Sequence, residues 1–491
     1  MKKVRNLLAF DLGASNGRAI LGQFDGEKIT MKELHRFDNN YIEMNGVFYW
    51  DTPYLYKQLK QGLLAFKQGD YGDLDAFGID TWGVDYGLLD KNGHLAGVPR
   101  SYRLGVQADI DAVKEKIPGE TLYSRTGIDT NLTFNTIYQL YRRLQEEDSA
   151  LEIAETMLFT PDLLGYFLTG AKGTEYTIAT TSGLYNPTTK DWDWETIETL
   201  GLPKKIFTEI EKTGTIRGTL RKELCEELGL NAAPFVAVGS HDTASAVAAI
   251  PGKGNFAFCS SGTWSLFGVE TDKPDLSASA AAAGFSNEGT VQGGFRPLYN
   301  IVGMWIIQEC RRDWIKAGKK LTWDEIEVEA INAEPLRSII DTDAPEFYAG
   351  GNMEKKIQEF CRRTNQPVPE TVGEIARCFY ESLALKYRYA LEYLEKMKGE
   401  KITSLNIVGG GIKNRYVNQL VADALDLEVV TGPIEGAAIG NLLTQAMALG
   451  DIKDLDELRQ VVRNSENVEH WTPNHSAAWD EAYQKLLTFI N

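Results

Sequence analysis

The sequence predicts an α/β protein of two large domains, and three observations carry that prediction. The chain has 491 residues, more than one ordinary core organises. Apolar strand-like runs alternate with helical patterns, as at 235–238 before 244–249 and at 405–408 before a helix from about 414. A strand, a small polar turn and a second strand occur at 7–24 and again at 255–270. Two halves that each open on such a hairpin imply a nucleotide held between two related domains.

Apolar residues make up 43% of the chain, enough for packed cores and too many for a disordered one. The formal net charge of −18 argues against a nucleic-acid or anionic-membrane partner. It leaves an anionic substrate open, since a local site can oppose the global field. The five cysteines include no Cys-x-x-Cys pair, so neither a disulfide framework nor a zinc knuckle is expected. The five histidines show no metal-ligand spacing. The start, Met-Lys-Lys-Val-Arg-Asn, has the charge of a signal n-region, but the apolar run 7–10 stops at Asp11. No apolar run approaches a membrane span. A soluble cytoplasmic protein with buried thiols is the expectation.

Residues 7–24 read Leu-Leu-Ala-Phe-Asp-Leu-Gly-Ala-Ser-Asn-Gly-Arg-Ala-Ile-Leu-Gly-Gln-Phe. The turn of this hairpin offers backbone N–H groups, hydroxyls and the Arg18 cation, the parts of a phosphate cradle. No Gly-Lys-Ser or Gly-Lys-Thr follows, so it is not a Walker A loop; an ordinary glycine turn is the alternative. Asp11 ends the first strand. A carboxylate beside a phosphate loop is repulsive unless a divalent cation lies between them, which points to Mg²⁺, against a plain turn aspartate. A helical pattern with Leu55, Leu59, Leu63 and Leu64 follows, opened by Asp51 or Thr52 with Pro53.

Gly78-Ile-Asp-Thr-Trp-Gly-Val-Asp-Tyr-Gly-Leu-Leu is an interrupted strand pair dense in Asp80, Trp82 and Asp85. An indole among carboxylates suits a sugar; a packed sheet tryptophan is the alternative. Helical patterns at 136–145 and 161–168 alternate with polar loops, and Trp192 and Trp194 anchor a further helix. The run Thr174-Glu-Tyr-Thr-Ile-Ala-Thr-Thr-Ser-Gly reads equally as cleft lining or plain loop.

The stretch around which the chain is organised is Phe235-Val-Ala-Val-Gly-Ser-His-Asp-Thr-Ala-Ser. Strand, Gly239 turn and small-residue helix put Ser240-His241-Asp242-Thr243 at a strand's C-terminal end, where open α/β sheets bind ligands. An aspartate there can act as a base, and helix-end amides attract anions. Helix capping by Ser240, Asp242 or Thr243 is the other reading. Later, 371–398 forms a long amphipathic helix stopped by Gly399. In Leu405-Asn-Ile-Val-Gly-Gly-Gly-Ile-Lys-Asn the glycines let a flat ligand approach the backbone, or simply turn the chain. Val429-Val-Thr-Gly-Pro and Gly436-Ala-Ala-Ile-Gly-Asn add a strand and a small-residue helix, and the tail after 465 is expected to be peripheral.

Together, Asp11-Leu-Gly-Ala-Ser-Asn-Gly-Arg, Gly78-Ile-Asp-Thr-Trp-Gly-Val-Asp, Ser240-His-Asp-Thr-Ala-Ser-Ala, Ser260-Ser-Gly-Thr-Trp-Ser, Asn300-Ile-x-Gly-x-Trp and Val408-Gly-Gly-Gly resemble the FGGY carbohydrate kinases, and among them those acting on L-rhamnulose. The Asp-Thr-Trp-Gly-Val-Asp and Ser-His-Asp-Thr-Ala-Ser strings are the specific ones. The resemblance implies an actin/hexokinase-type fold: two ribonuclease-H-like α/β domains flanking a catalytic cleft, 1–246 mainly for sugar and 247–491 mainly for ATP. It implies MgATP-dependent phosphorylation of a ketose at the 1-hydroxyl, L-rhamnulose first, with L-fuculose or a pentulose as alternatives. It also implies domain closure that excludes water.

On this resemblance Asp242 would be the general base, contributing roughly 10²–10⁴-fold. Asp80, Trp82, Gly83, His241, Asp242 and Thr243 would contact the sugar. Ala14, Ser15, Asn16, Gly17, Arg18 and Thr263 would flank the phosphates, and Asn300, Gln308 and Gly410 would hold the nucleotide. Asp11 would position Mg²⁺ through water. No nucleic-acid or membrane partner is implied, and the chain would be a monomer or homodimer. One departure bears on the ketose: these relatives continue Tyr-Arg-Asp where this chain has Tyr102-Arg103-Leu104.

Two other classes compete. An actin-like ATPase switch needs no sugar-sized polar pocket, so Asp80, Trp82, Asp85 and His241-Asp242 argue against it. A two-carboxylate glycosidase needs no phosphate hairpins.

Overall fold

The computed structural model describes residues 4–490. They form two compact units: unit 1 runs through Ala249 and also holds Glu270–Pro297 and Gly436–Ser465. Unit 2 holds Ile250–Val269, Leu298–Glu435 and the chain from Glu466. Among the described residues, no helix is long and apolar enough to cross a membrane.

Unit 1 is built on β1 (Arg5–Leu12), β2 (Asn16–Phe24), β3 (Ile29–Asp38), β4 (Ala76–Thr81), β5 (Thr215–Thr219) and β6 (Pro234–Ala237), in the order β5-β6-β4-β1-β2-β3. β1, β2 and β3 are antiparallel, whereas β4 runs parallel to β1 and to β6. The unbroken apolar run of β1 follows from burial on both faces. Leu8, Phe10 and Leu12 pack in one core with Leu55, Leu59, Leu63 and Phe66 of the helix Thr52–Gln68. Leu7 and Ala9 pack in another with Ala438, Ile439, Leu442 and Leu443 of the helix Gly436–Ala448. Burying each such leucine contributes about 1.5–3 kcal/mol over leaving it in water. The Thr52–Gln68 helix starts where expected, with Asp51 accepting from the Tyr54 N–H at 3.0 Å. A third core of unit 1 gathers around Tyr86, Met157 and Trp192, and its strands Tyr86–Leu89 and Thr156–Phe159 pair antiparallel.

Unit 2 repeats the plan. β7 (Phe256–Ser261) and β8 (Trp264–Gly268) form a hairpin, β9 (Phe295–Val302, which enters the unit at Leu298) pairs antiparallel with β8, and β10 (Ser404–Val408) runs parallel to β7. β11 (Glu428–Thr431) runs parallel to β10, and β12 (Glu469–Trp471) closes the edge. The order β9-β8-β7-β10-β11 therefore matches β3-β2-β1-β4-β6 of unit 1 strand for strand and direction for direction. The expected echo of 7–24 in 255–270 is a duplicated topology. The helix Val372–Lys398 opens on a Thr371–Glu374 capping box and stops at Gly399, whose φ of 70° suits glycine.

Candidate active site

Because β4 lies parallel between β1 and β6, the C-terminal ends of the three strands are adjacent and deliver one carboxylate each. Asp11 pairs in register with Asp80, and the Thr81 N–H donates to the Ser240 carbonyl at 2.9 Å, bringing the Ser240–Asp242 segment alongside β4. Arg18, opposite Asp11 in the hairpin, reaches Asp11 Oδ2 at 2.5 Å. Asp80 is fully buried. Its Oδ2 accepts from Asn441 Nδ2 at 2.6 Å, and its Oδ1 has no hydrogen-bond partner among the described residues. Burial, and then the charges of Asp11 and Asp242, hold the Asp80 carboxyl well above its ordinary range.

Asp242 opens the helix Asp242–Ala248 and keeps 31% of its side chain exposed. Burial of its surroundings pushes this carboxyl up, His241 pulls it back and Asp11 adds to the rise. His241 stands at the N-cap position and its side chain makes no capping bond. Ser240 Oγ turns back to the Val238 carbonyl at 3.1 Å, and Thr243 Oγ1 donates to Asp242 Oδ1 at 3.2 Å. The capping reading of the tetrad is thus overturned.

What fixes this turn is the polar run 174–183. Glu175 accepts from the Ser240 N–H at 3.2 Å and Thr177 Oγ1 from the His241 N–H at 3.3 Å. Thr181 Oγ1 accepts from the Val84 N–H at 3.1 Å, and Thr180 Oγ1 from the Gly289 N–H at 2.8 Å. All four residues are buried. The run is neither a solvated loop nor a bare cleft wall: it is a brace joining the 82–85 loop, the Ser240–His241 turn and the end of the strand Phe285–Gly289.

The 82–85 loop is shaped by that brace. Val84 has a φ of 67°, a left-handed conformation that costs a β-branched residue about 1–3 kcal/mol. Thr136 Oγ1, donating to the Val84 carbonyl at 2.7 Å, helps hold it there. A Cβ on Gly83 would lie 3.5 Å from His241 Nε2, so Gly83 faces the ring. The Trp82 indole is buried, packs 4.3 Å from the Trp50 ring, and donates to Asp85 at 2.9 Å. Trp50 donates to the same Asp85 oxygen at 2.6 Å. Burial pushes the Asp85 carboxyl up to about 6 against these donors. Asp85 therefore anchors two indoles, in keeping with the packed-tryptophan alternative. Tyr102, in the turn Tyr102–Leu104, lies within electrostatic range of Asp85 and Asp242, which puts Leu104 near the same loops.

Two residues that sequence reasoning missed complete the surroundings of His241. Glu288 Oε2 lies 3.0 Å from His241 Nδ1, and Arg296 Nη2 lies 2.9 Å from that oxygen. The sequence signal for Glu288 is a Ser-Asn-Glu run inside a strand, Phe285–Gly289, where apolar alternation would be expected; Arg296 lies on β9.

The remaining expected contacts divide between the units. In unit 1 the turn after β1 carries half-buried Ala14 and exposed Ser15, and β2 opens with exposed Asn16, buried Gly17 and half-buried Arg18. A Cβ on Gly17 would meet the Phe37 ring at 2.3 Å, so that glycine serves packing. In unit 2, Thr263 lies in the β7–β8 turn and its carbonyl accepts from the Trp305 N–H at 3.2 Å, at the start of the helix Trp305–Lys316 that carries half-buried Gln308. Asn300, also half-buried, is on β9. Of the three glycines after β10, Gly409 and Gly411 are crowded by Ser261, whereas a Cβ on exposed Gly410 would meet nothing within 4 Å. Only Gly410 leaves its backbone open to a ligand.

Among the described residues no group of three or more His, Cys, Asp or Glu side chains is arranged to hold a metal.

Family models of the FGGY family of carbohydrate kinases match the chain twice, the N-terminal domain over residues 6–249 and the C-terminal domain over 257–449. The chain is 43% identical to a rhamnulokinase of Bacteroides thetaiotaomicron over 98% of both chains. It is 38% identical to one of Bacillus subtilis, over 95% of each. Among solved structures, a gluconate kinase from Lactobacillus acidophilus superposes with a TM-score of 0.81 at 17% identity, covering 99% of this chain and 97% of that one. Plasmodium falciparum glycerol kinase with ADP gives 0.77 at 14% identity, over 99% of each. These two show the fold: two α/β units of the kind found in sugar and glycerol kinases, as the sequence predicts.

Proposed function

The chain belongs to the FGGY family of carbohydrate kinases, and from that premise we propose that it transfers the γ-phosphoryl group of ATP to the 1-hydroxyl of L-rhamnulose, giving L-rhamnulose 1-phosphate and ADP in L-rhamnose catabolism. The substrate assignment is supported by rhamnulokinases of several bacteria at 38–43% identity over nearly the whole chain.

The observation that carries the mechanism is Asp242: a carboxylate at a strand end, still 31% exposed, with its proton affinity raised by burial. A sugar hydroxyl is far too weak an acid to ionise alone, so its proton leaves as phosphoryl transfer proceeds, and Asp242 takes it. Gly83, His241 and Thr243 orient the ketose, while Asp80 and Trp82 shape the floor beneath them. The nucleotide contacts we assign are Ala14, Ser15, Asn16, Gly17 and Arg18 in unit 1, and Thr263, Asn300, Gln308 and Gly410 in unit 2. Asp11 would hold Mg²⁺ against the phosphates, where the ion neutralises charge on the transferred group.

The test is ADP release with MgATP across L-rhamnulose, L-fuculose, L-xylulose, D-xylulose, L-ribulose and D-fructose. L-rhamnulose is expected to give the highest kcat/KM, and Asp242→Asn to lower it by about 10²–10⁴-fold. The variant Leu104→Asp, measured on the same panel, reports whether the departure at 104 tunes the choice. A preference for another ketose moves the substrate. Tight ATP binding with no ketose-stimulated turnover overturns the kinase reading in favour of a nucleotide switch.

A further inference from the structure

We propose that unit 1 carries a second ligand site, sharing no residue with that of Asp11, Asp80 and Asp242, and that it takes a small hydroxylated organic anion. Its seat is a cavity of about 410 Å³ between the start of the helix Gly119–Thr126 and the helix Ala278–Ala282, within the size range of small-molecule sites.

Donors converge at one end of this cavity. Pro118 stands at the N-cap position and no side chain caps the helix. The N–H groups of Gly119, Glu120 and Thr121 therefore lack an intrahelical acceptor, at the positive end of the helix dipole. The Lys114 ammonium reaches the same spot from the end of the helix Gln107–Lys114: its Nζ lies 3.7 Å from where a Cβ on Gly119 would stand. It donates to Asn131 Oδ1 at 2.8 Å, which leaves donors to spare on a group that has three. An ammonium and a helix N-terminus side by side repel each other, and an anion between them turns that repulsion into attraction.

Thr130 is the independent observation. It is only 9% exposed, it lines the cavity, and its Oγ1 lies 3.2 Å from that same Cβ position. Its carbonyl accepts from Tyr138 Oη at 2.7 Å, but among the described residues its hydroxyl has no hydrogen-bond partner. A hydroxyl so nearly buried is costly unless something meets it.

The other walls say what else the ligand carries. Exposed Glu120 also lines the cavity, and a carboxylate only accepts, so the ligand brings hydroxyl donors beside its anionic group. Leu276 and Ala281 form an apolar side for the carbon skeleton to lie against. A phosphorylated polyol and a carboxylated one share this chemistry.

The test is the methyl NMR spectrum of the alanine-labelled full chain, titrated with inorganic phosphate, D-glucose 6-phosphate and D-gluconate. Ala281 and Ala282 line the cavity, and A281S and A282S identify their signals by loss. Phosphate is expected to move both methyls, and one of the two polyol anions to do so at about tenfold lower concentration; which one names the anionic group. K114M should weaken that binding about 10- to 100-fold and T130V about 2- to 10-fold, with melting temperatures reporting that both variants fold. Methyls that no probe moves, or that move undiminished in K114M and T130V, overturn the inference. Phosphate binding as tightly as both polyol anions overturns the hydroxyl recognition assigned to Glu120. None of these outcomes depends on kinase activity.

Discussion

Replacing Asp85 by asparagine should change how stability depends on pH, by an amount the structure sets. Asp85 is fully buried, accepts from Trp50 at 2.6 Å and Trp82 at 2.9 Å, and is pushed by burial from 3.8 to about 6. At about 1.4 kcal/mol per tenfold change in acidity, that rise is worth about 3 kcal/mol. Its sign follows from proton binding. Between pH 4 and 6 the folded state holds the proton and the unfolded state has released it, so this contribution is fully present below pH 4, falls as pH rises, and is gone above about 6. Asparagine does not titrate. The wild-type stability relative to Asp85→Asn should therefore decline by about 3 kcal/mol from pH 4 to pH 7. Urea unfolding of both proteins at half-unit pH steps, followed by tryptophan fluorescence, measures the difference. A difference that stays flat would refute the burial argument. One that rises with pH would show that the two indoles stabilise the anion by more than burial costs it.

Two further predictions use the glycines and the long-range hydrogen bond. Gly410→Ala should leave the melting temperature within about 1 °C but weaken nucleotide binding measured by calorimetry. Gly409→Ala, with φ at 90° and a Cβ 2.8 Å from the Ser261 carbonyl oxygen, should destabilise the fold by about 1–3 kcal/mol; equal effects on both readouts would refute the distinction. Asn441→Ala removes the amide from Asp80 Oδ2 and leaves a buried carboxyl without its donor, at a cost of about 1–3 kcal/mol. Asp80→Leu in the same background should recover part of it by removing the polar group, read by urea denaturation.

Local pattern made most elements legible. The helix over 136–145, the capped helix ending at Gly399 and both hairpins appear where periodicity and turn residues put them. Asp242 was legible because a strand, a glycine and a small-residue helix frame it. What periodicity cannot report is which core an element joins. Segments 270–297 and 436–465 lie past the boundary expected at 246/247, yet pack with unit 1. Glu288, Arg296 and Asn441 ride on those segments, so no local signal tied them to His241 or Asp80. Glycine was the other blind spot. Gly409 and Gly411 read as room for a ligand, but Ser261 already occupies that room.

The return of 436–465 to unit 1 has a consequence for synthesis on the ribosome. The face of β1 carrying Leu7 and Ala9 is covered by Ile439, Leu442 and Leu443, which leave the ribosome long after β1. At roughly 5–20 residues per second, the first 249 residues wait roughly 10–40 s for that helix to be translated. During the wait an apolar sheet face is bare, and the nascent chain is a substrate for holdase chaperones. A message truncated near codon 250 should accordingly yield an insoluble product, however complete its first domain looks on paper.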